Sequence, residues 1–160
     1  MDDARLEALD KRIQALEDVE AIRRLRMMYH HFTNEGMFDR ISTLFTDDGK
    51  LDFGYVAKAQ GREEIHEVFL RVPRNLALVK QFIHNHIVDV DGDRATGISY
   101  LDARYAQDGE SVMVAARFNE VYRRTGAGWK ISEMLVHIYF STPISVGWAS
   151  EKLNYVKPFT

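Results

Sequence analysis

The spacing of apolar residues near the start of the chain predicts a long amphipathic helix. Large apolar side chains recur every three or four residues, which is the repeat of an α-helix that buries one stripe. The members of this stripe are Ile13, Leu16, Val19, Ile22, Leu25, Met28 and Phe32. Asn34, Glu35 and Gly36 follow, and such residues favour the left-handed backbone conformation in which helices commonly end. We therefore expect a helix that buries this stripe and ends near Asn34.

Two further helices and a short strand are predicted before the middle of the chain. The apolar residues of the segment 38–45 indicate a second short helix that ends at the polar turn 46–49. A short strand is expected over residues 50–55. A third helix over residues 61–72 carries its apolar residues on one side, and Pro73 is expected to end it.

The second half of the chain has the pattern of a β-sheet. Four runs are rich in β-branched and aromatic residues, and turns that contain glycine separate them. The runs are 82–90, 94–105, 111–124 and 129–140. They predict four antiparallel strands joined as a meander. Because the helices come first and the sheet follows, the fold class is α+β, with the helices packed on one face of the sheet.

Alternation along the predicted strands indicates which face of the sheet the helices cover. Side chains two residues apart on a strand share a face. In the run 94–105 one face is small and mostly apolar, and it carries Ala95, Gly97, Ser99, Leu101, Ala103 and Tyr105. The matching face of the next run carries Val112, Val114, Ala116 and Phe118. Small residues that face helices leave room, so we expect a ligand pocket between sheet and helices.

Composition narrows the class of protein. A chain of 160 residues with 46% apolar and 28% charged residues fits one domain over 1–160. The absence of cysteine excludes disulfides, thiolate metal sites and a cysteine nucleophile. The net charge is −3 and the two signs are interspersed, so no nucleic-acid partner is expected. Without a run of about 20 apolar residues we expect no membrane span and no signal peptide, and a cytoplasmic location is the default.

Three segments of the sequence carry a family resemblance. They are EAIRRLRMMYHHFTNEGMFDRISTLFTDDGKLDF, HNHIVDVDGDRATGISYL and ARFNEVYRRTGAGWKIS. Their order and spacing over residues 16–143 resemble the SnoaL-like branch of the nuclear-transport-factor-two-like superfamily. The resemblance implies a cone-shaped, strongly curved mixed or antiparallel sheet packed on three N-terminal helices, an α+β barrel with a pocket inside. It also implies a homodimer or homotrimer.

The same resemblance places the expected site. Members include scytalone dehydratase-like lyases, a hexachlorocyclohexane dehydrochlorinase, ketosteroid isomerases, polyketide cyclases and non-catalytic binding subunits, so the fold alone does not fix the function. In the dehydratase and dehydrochlorinase members, an aspartate near the end of the first helix orients a histidine at the start of the first long strand. Here the aspartate position falls on Asn34. The histidine position falls on Gln81, or on His84 after a slip of three residues.

The residues themselves suggest acid–base chemistry. His84 and His86 lie two apart on a predicted strand, so their side chains are expected to share one face. Imidazole titrates near neutral pH, and we predict catalytic roles for His84, His86 and Asn34. Alternatively, the histidines lie on the outer face and Asn34 only caps the helix. The predicted substrate-binding residues are Tyr29, Gln81, Ser99, Phe53, Tyr55 and Phe118.

Two classes of function follow. The first is a lyase or isomerase, of the dehydratase or cyclase type, that acts without a cofactor on a small hydrophobic, cyclic or aromatic substrate. The second is a non-catalytic binding or accessory protein of the same fold, including an oxygenase small subunit. No metal is predicted, because a His-x-His pair without a nearby carboxylate is weak evidence for one.

Overall fold

The computed structural model describes residues 3–149 and 155–160. Three α-helices and six strands form its regular part. They are α1 Asp3–Asn34, α2 Phe38–Ile41, β1 Phe45–Asp52, β2 Lys58–Gln60, α3 Arg62–Asn75, β3 Leu78–Asp91, β4 Arg94–Gln107, β5 Glu110–Thr125 and β6 Gly128–Pro143, with a 3-10 turn Ser42–Leu44 after α2. None of the described helices is both long enough and apolar enough to cross a lipid bilayer.

The six strands form one mixed sheet in the order β2-β1-β6-β5-β4-β3. The predicted meander is confirmed, since β3 to β6 pair antiparallel with their neighbours in the chain. β1 pairs parallel with β6 and antiparallel with β2, which the sequence did not predict. Both ends of the strand order are edges, so the sheet is open and is not closed into a barrel.

The first helix ends where the sequence predicts, but its apolar stripe does not stay on one face. Gly36 has a φ of +70°, the left-handed conformation expected of the stop. Ile22 is fully buried, whereas Ile13 is 52% exposed and Leu16 is 72% exposed. A step of three residues turns a helix by about 300°, so repeated steps of three carry the stripe around the helix. The prediction of a single buried stripe is therefore wrong for its first two members.

Two other boundaries differ from the sequence prediction, and one strand is additional. Residues 46–49 lie within β1, whose pairing with β6 shifts register between Phe45 and Lys50. The short strand β2 was not predicted. α3 continues through Pro73 to Asn75, because the buried residues just before the proline hold the last turn against the core.

The covered face of the sheet is the predicted one. Ala95, Gly97, Ser99, Leu101 and Ala103 are buried along β4. The expected inward positions of β5 are buried as well. The core lies between this face and the helices, and it contains the cavity described next.

Candidate functional site

A mainly apolar cavity lies between the helices and the covered face of the sheet. Its volume is about 70 Å³, which is room for several water molecules. A cavity that binds benzene has about 150 Å³, so a ring compound requires the wall residues to move apart. Apolar wall residues include Phe53, Phe69, Leu101, Val114, Phe118 and Ile138. Such a surface favours an apolar ligand.

Polar atoms enter the cavity wall at Tyr29, Gln81 and Tyr105. The Gln81 Nε2 donates a hydrogen bond to the Tyr105 Oη at 2.7 Å. The hydroxyl hydrogen of Tyr105 therefore remains free to be donated to a ligand. Burial raises the pKa of Tyr105 to about 12 and raises that of Tyr29 above its ordinary value, so both phenols keep their protons at neutral pH.

Asn34 fixes the backbone of β3 at this polar end. Its Nδ2 donates to the carbonyl oxygen of Gln81 at 2.8 Å, and its Oδ1 accepts from the N–H of Gln81 at 2.7 Å. The last residue of α1 thus holds the backbone of a cavity residue through both atoms of its amide. The Lys80 Nζ also donates to the Asn34 carbonyl oxygen, which adds a second link between α1 and β3.

His30 lies behind the cavity wall. It is 5% exposed, and its ring packs edge-on against Tyr29 and Phe118 at centroid distances of 5.2 and 6.1 Å. Among the described residues neither ring nitrogen makes a hydrogen bond of good geometry, and the same holds for the Gln81 Oε1. Burial and the charge of Arg26 hold the pKa of His30 well below its ordinary value, and the nearby Gln81 side chain opposes this only partly. His30 is therefore a neutral imidazole at pH 7.

A buried ion pair lies on the other side of these rings. The Arg26 guanidinium packs 3.8 Å from the centroid of the Phe118 ring and 4.6 Å from that of Tyr29. The Arg26 Nη1 lies 2.7 Å from the Glu120 Oε1, and both side chains are fully buried. The Tyr122 hydroxyl donates to the Glu120 Oε2 at 2.7 Å. The cavity wall is thus backed by a pair of opposite charges whose fields largely cancel at a distance.

His86 belongs to this buried cluster and does not line the cavity. Its Nε2 lies 3.2 Å from the Tyr122 Oη. Since the Tyr122 proton goes to Glu120, we assign the Nε2–H tautomer, in which the imidazole donates to that oxygen. Burial and the charge of Arg26 lower the pKa of His86 to about 4. A Cβ at position 97 would lie 2.9 Å from the His86 Nε2, so glycine makes room for this ring.

His84 lies apart from His86, contrary to the prediction that the two share a face. The pairing of β3 with β4 shifts register between Ile83 and His86, and this irregularity breaks the two-residue alternation. The His84 side chain is 69% exposed, with its Nε2 3.7 Å from the Asp102 Oδ2, whereas the His86 side chain is 2% exposed. The structure therefore does not bring His84, His86 and Asn34 together.

Of the six predicted substrate-binding residues, four line the cavity and two do not. Tyr29, Gln81, Phe53 and Phe118 line the cavity. Ser99 is fully buried but is absent from the cavity wall. Tyr55 is 41% exposed and lies outside the wall, with its hydroxyl 3.5 Å from the Ser141 Oγ.

The end of the chain closes part of the cavity. Val156 and Phe159 belong to its wall. The Val156 N–H donates to the Ser141 Oγ at 3.0 Å, and the Phe159 N–H donates to the Val56 carbonyl oxygen at 3.0 Å. These bonds hold residues 155–160 across the cavity.

The sequence pattern places Tyr105 on the inward face of β4, but Tyr105 was not among the predicted substrate-binding residues. The buried pair of Arg26 and Glu120 was not predicted. The signal for the pair was present. Glu120 continues the inward alternation of β5 between Phe118 and Tyr122, and Arg26 lies one turn after the buried Ile22 on α1. Opposite charges at inward positions of two facing elements predict a buried ion pair.

The chain belongs to the SnoaL-like domain family, whose model matches residues 14–135. This confirms the resemblance found in the sequence and, with the solved structures below, the cone-type α+β fold with an open sheet. No curated protein matches the chain at a significant level.

Several solved structures share the fold. A candidate aromatic ring hydroxylase from Novosphingobium aromaticivorans is 26% identical, and the match covers 80% of this chain and 94% of that one with a TM-score of 0.74. A candidate scytalone dehydratase from the same bacterium is 15% identical over 90% of this chain and 94% of that one, also with a TM-score of 0.74. A hexachlorocyclohexane dehydrochlorinase from Novosphingobium barchaimii is 18% identical over 83% and 94%, with a TM-score of 0.77.

Proposed function

We propose that this protein is a cofactor-independent lyase or isomerase that acts by acid–base chemistry on a small, largely apolar ring compound carrying an oxygen. The observation that carries the proposal is an apolar cavity with a free phenol donor at Tyr105 and the neutral imidazole of His30 behind its wall. Two structurally similar proteins bear the names of a dehydratase and a dehydrochlorinase, which are names for elimination reactions.

Each group has a role that its protonation state permits. Tyr105 donates its hydroxyl hydrogen to a carbonyl or hydroxyl oxygen of the ligand, and its high pKa keeps it a donor while negative charge develops on that oxygen. His30 keeps one ring nitrogen unprotonated at pH 7, and this nitrogen accepts a proton from a carbon next to the oxygen-bearing carbon. Because His30 lies behind the wall, the ligand reaches it only when the Tyr29 or Phe118 ring that packs against it moves aside. Asn34 positions Gln81, and Gln81 positions Tyr105. His30 thereby takes the role that the sequence predicted for His84 or His86.

Proton abstraction is testable without knowledge of the natural leaving group. The probe is 2-indanone in D₂O, whose α-hydrogens exchange for deuterium when a base removes them, and the readout is proton NMR. We expect exchange above the buffer rate with the parent protein and its loss in His30→Gln. His84→Gln is the matched control on the exposed imidazole and is expected to retain the parent rate, while His86→Gln tests the other predicted histidine.

The exchange rates of these variants show whether His30 or one of the predicted histidines, His84 and His86, is the base. Loss of exchange in His84→Gln or His86→Gln, with His30→Gln unchanged, would return the base to the predicted pair. Thermal unfolding of each variant identifies any loss that comes from misfolding. Exchange at the buffer rate in the parent, combined with saturable binding of 2-indanone, would overturn the catalytic proposal.

The second candidate is binding without conversion, and a specific observation favours it. Asn34 and Gln81 are neutral amides at the positions where relatives of this type are expected to hold a carboxylate and a histidine, and both are engaged in hydrogen bonds. Amides bind ligands through hydrogen bonds and do not transfer protons at neutral pH. Calorimetric titration with 2-indanone alongside the exchange measurement decides between the two functions.

A further inference from the structure

The first half of α1 projects from the body of the protein. All residues from 3 to 17 are exposed, and Asp18 is the first buried residue of the helix. At about 1.5 Å per residue this projecting segment, residues 3–17, is about 22 Å long. Asp18 anchors its base, because the Asp18 carboxylate accepts hydrogen bonds from Arg124 at 2.6 and 2.8 Å and from the Trp129 Nε1 at 3.0 Å.

An apolar stripe runs along the projecting segment. Its members are Leu6, Leu9, Ile13 and Leu16, which are 40%, 38%, 52% and 72% exposed. Their spacing of three, four and three residues is that of the a and d positions of a coiled coil. Scattered exposed apolar residues are ordinary, but four in this register on one helix face form a docking surface.

The stripe points away from the rest of the molecule. At about 100° per residue, its centre lies about 160° around the helix from the centre of the face that α1 buries in the body. Glu7 and Lys11 form an ion pair of 2.9 Å on another side of the segment, which leaves the apolar side clear. A second helix therefore has access to the stripe without meeting the body of its own chain.

The charges that flank the stripe identify the partner. With Leu6 at position a, Arg5 and Arg12 occupy g positions, and Asp10 and Glu17 occupy e positions. In a parallel pair of identical helices each g residue faces the e residue of the next heptad on the other chain, so every arginine meets an acidic residue. In an antiparallel pair g faces g and e faces e, which sets like charges together.

We propose that the projecting segment pairs with the same segment of a second copy of this chain as a parallel, in-register, two-stranded coiled coil. Ile13 at a with Leu9 and Leu16 at d is the combination that favours two strands. The stripe ends at the body, since the next a and d positions are Glu20 and Arg23. Most of the projecting segment precedes residue 14, where the family match begins, so the pairing is a property of this chain beyond its family core.

The absence of cysteine makes the pairing directly measurable in the full chain. Leu9→Cys places two thiols opposite each other in the proposed dimer, and Lys11→Cys on the outer side of the same turn is the matched control. Under mild oxidation we expect Leu9→Cys to form a disulfide-linked dimer about tenfold faster than Lys11→Cys, because a disulfide needs closely spaced, facing Cβ atoms. Equal rates would overturn the proposal.

Two further measurements test whether the paired helices run parallel and whether the flanking charges contribute to the pairing. Leu6→Cys and Leu16→Cys proteins of different mass are mixed and oxidised. Parallel pairing gives disulfide-linked dimers of two Leu6→Cys chains or of two Leu16→Cys chains, whereas dimers that link a Leu6→Cys chain to a Leu16→Cys chain would refute it if they predominate. In the Leu9→Cys background, Arg12→Glu is expected to slow cross-linking roughly threefold, and adding Glu17→Arg is expected to restore it. Failure of the charge exchange to restore the rate would exclude this register. All these positions are exposed in the single chain, so the thermal unfolding of each variant, measured at a concentration low enough to keep the protein monomeric, should match that of the parent.

Discussion

The Asn34 side chain holds the backbone of Gln81 with two hydrogen bonds, one donated at 2.8 Å and one accepted at 2.7 Å. The amide matches the donor and the acceptor of a peptide group, so it joins β3 to the end of α1 much as a neighbouring strand would. This arrangement explains why an amide suits the position. A carboxylate there would accept from the N–H but would repel the carbonyl oxygen.

Replacing Asn34 by Asp should therefore destabilise the fold. We expect the free energy of unfolding, measured by urea titration at pH 7, to fall by about 1–3 kcal/mol, because one bond becomes a repulsion between two oxygens. The nearby Gln81 carbonyl oxygen should raise the pKa of the new carboxyl. Once protonated, the acid can again donate a hydrogen bond to that oxygen. The deficit relative to the parent should then shrink as the pH falls through that raised pKa. Asn34→Ala, which lacks a titrating group, should be destabilised without this recovery.

Replacing Tyr105 by Phe tests the polar end of the cavity. The variant loses the donor that Gln81 leaves free, while the cavity keeps its apolar wall. Calorimetric titration should show a loss of about 3- to 10-fold in affinity for 2-indanone, the value of one hydrogen bond. Indane has the same shape without the oxygen, and its affinity should be unchanged. An equal loss for both compounds would mean that the hydroxyl acts on the packing of the cavity instead.

The buried histidines should make stability fall on acidification. His86 has a folded-state pKa of about 4 against an ordinary value of 6.5, and that of His30 is also lowered. A group whose pKa is lower in the folded state stabilises it fully above the unfolded pKa, and this contribution is lost as the pH falls through the folded pKa. Between pH 6.5 and 4 we expect His86 to account for about 3 kcal/mol of lost stability. Urea titrations over this range should show a shallower decline in His86→Gln, and an unchanged slope would contradict the assignment.

Removing one partner of the buried ion pair should lower the free energy of unfolding more than removing both partners. Arg26→Met leaves the Glu120 carboxylate buried without its cation, and we expect a loss of about 3–5 kcal/mol in the free energy of unfolding. The double variant Arg26→Met with Glu120→Gln removes both charges and should recover most of that loss. Equal destabilisation of the single and double variants would show that the packing of Arg26 against Tyr29 and Phe118 dominates.

Local chemistry in the sequence predicted a large part of the fold. The four strands of the meander, their inward faces and the end of α1 at Asn34 all follow from alternation, turn residues and the glycine at position 36. The family resemblance placed Gln81 and Phe53 at the site, and the position of Tyr29 on α1 suggested its role there. The strands of the meander, the end of α1, the cavity and the inward position of Phe118 followed from sequence patterns. These features depend on contacts between residues close in sequence, which the sequence pattern records directly.

The sequence by itself determined the four strands of the meander, their inward faces and the presence of a cavity, because these follow from which side chains avoid water. Only the tertiary structure decided what surrounds that cavity. The register shift in β3 separates His84 from His86. The sequence indicates inward positions for Arg26 and Glu120, but only the docking of α1 on the sheet brings the two together as an ion pair. The same docking leaves Leu16 exposed on a helix that buries Ile22 two turns later. These outcomes depend on how elements far apart in the chain pack together, and the periodicity of a single element does not contain that information.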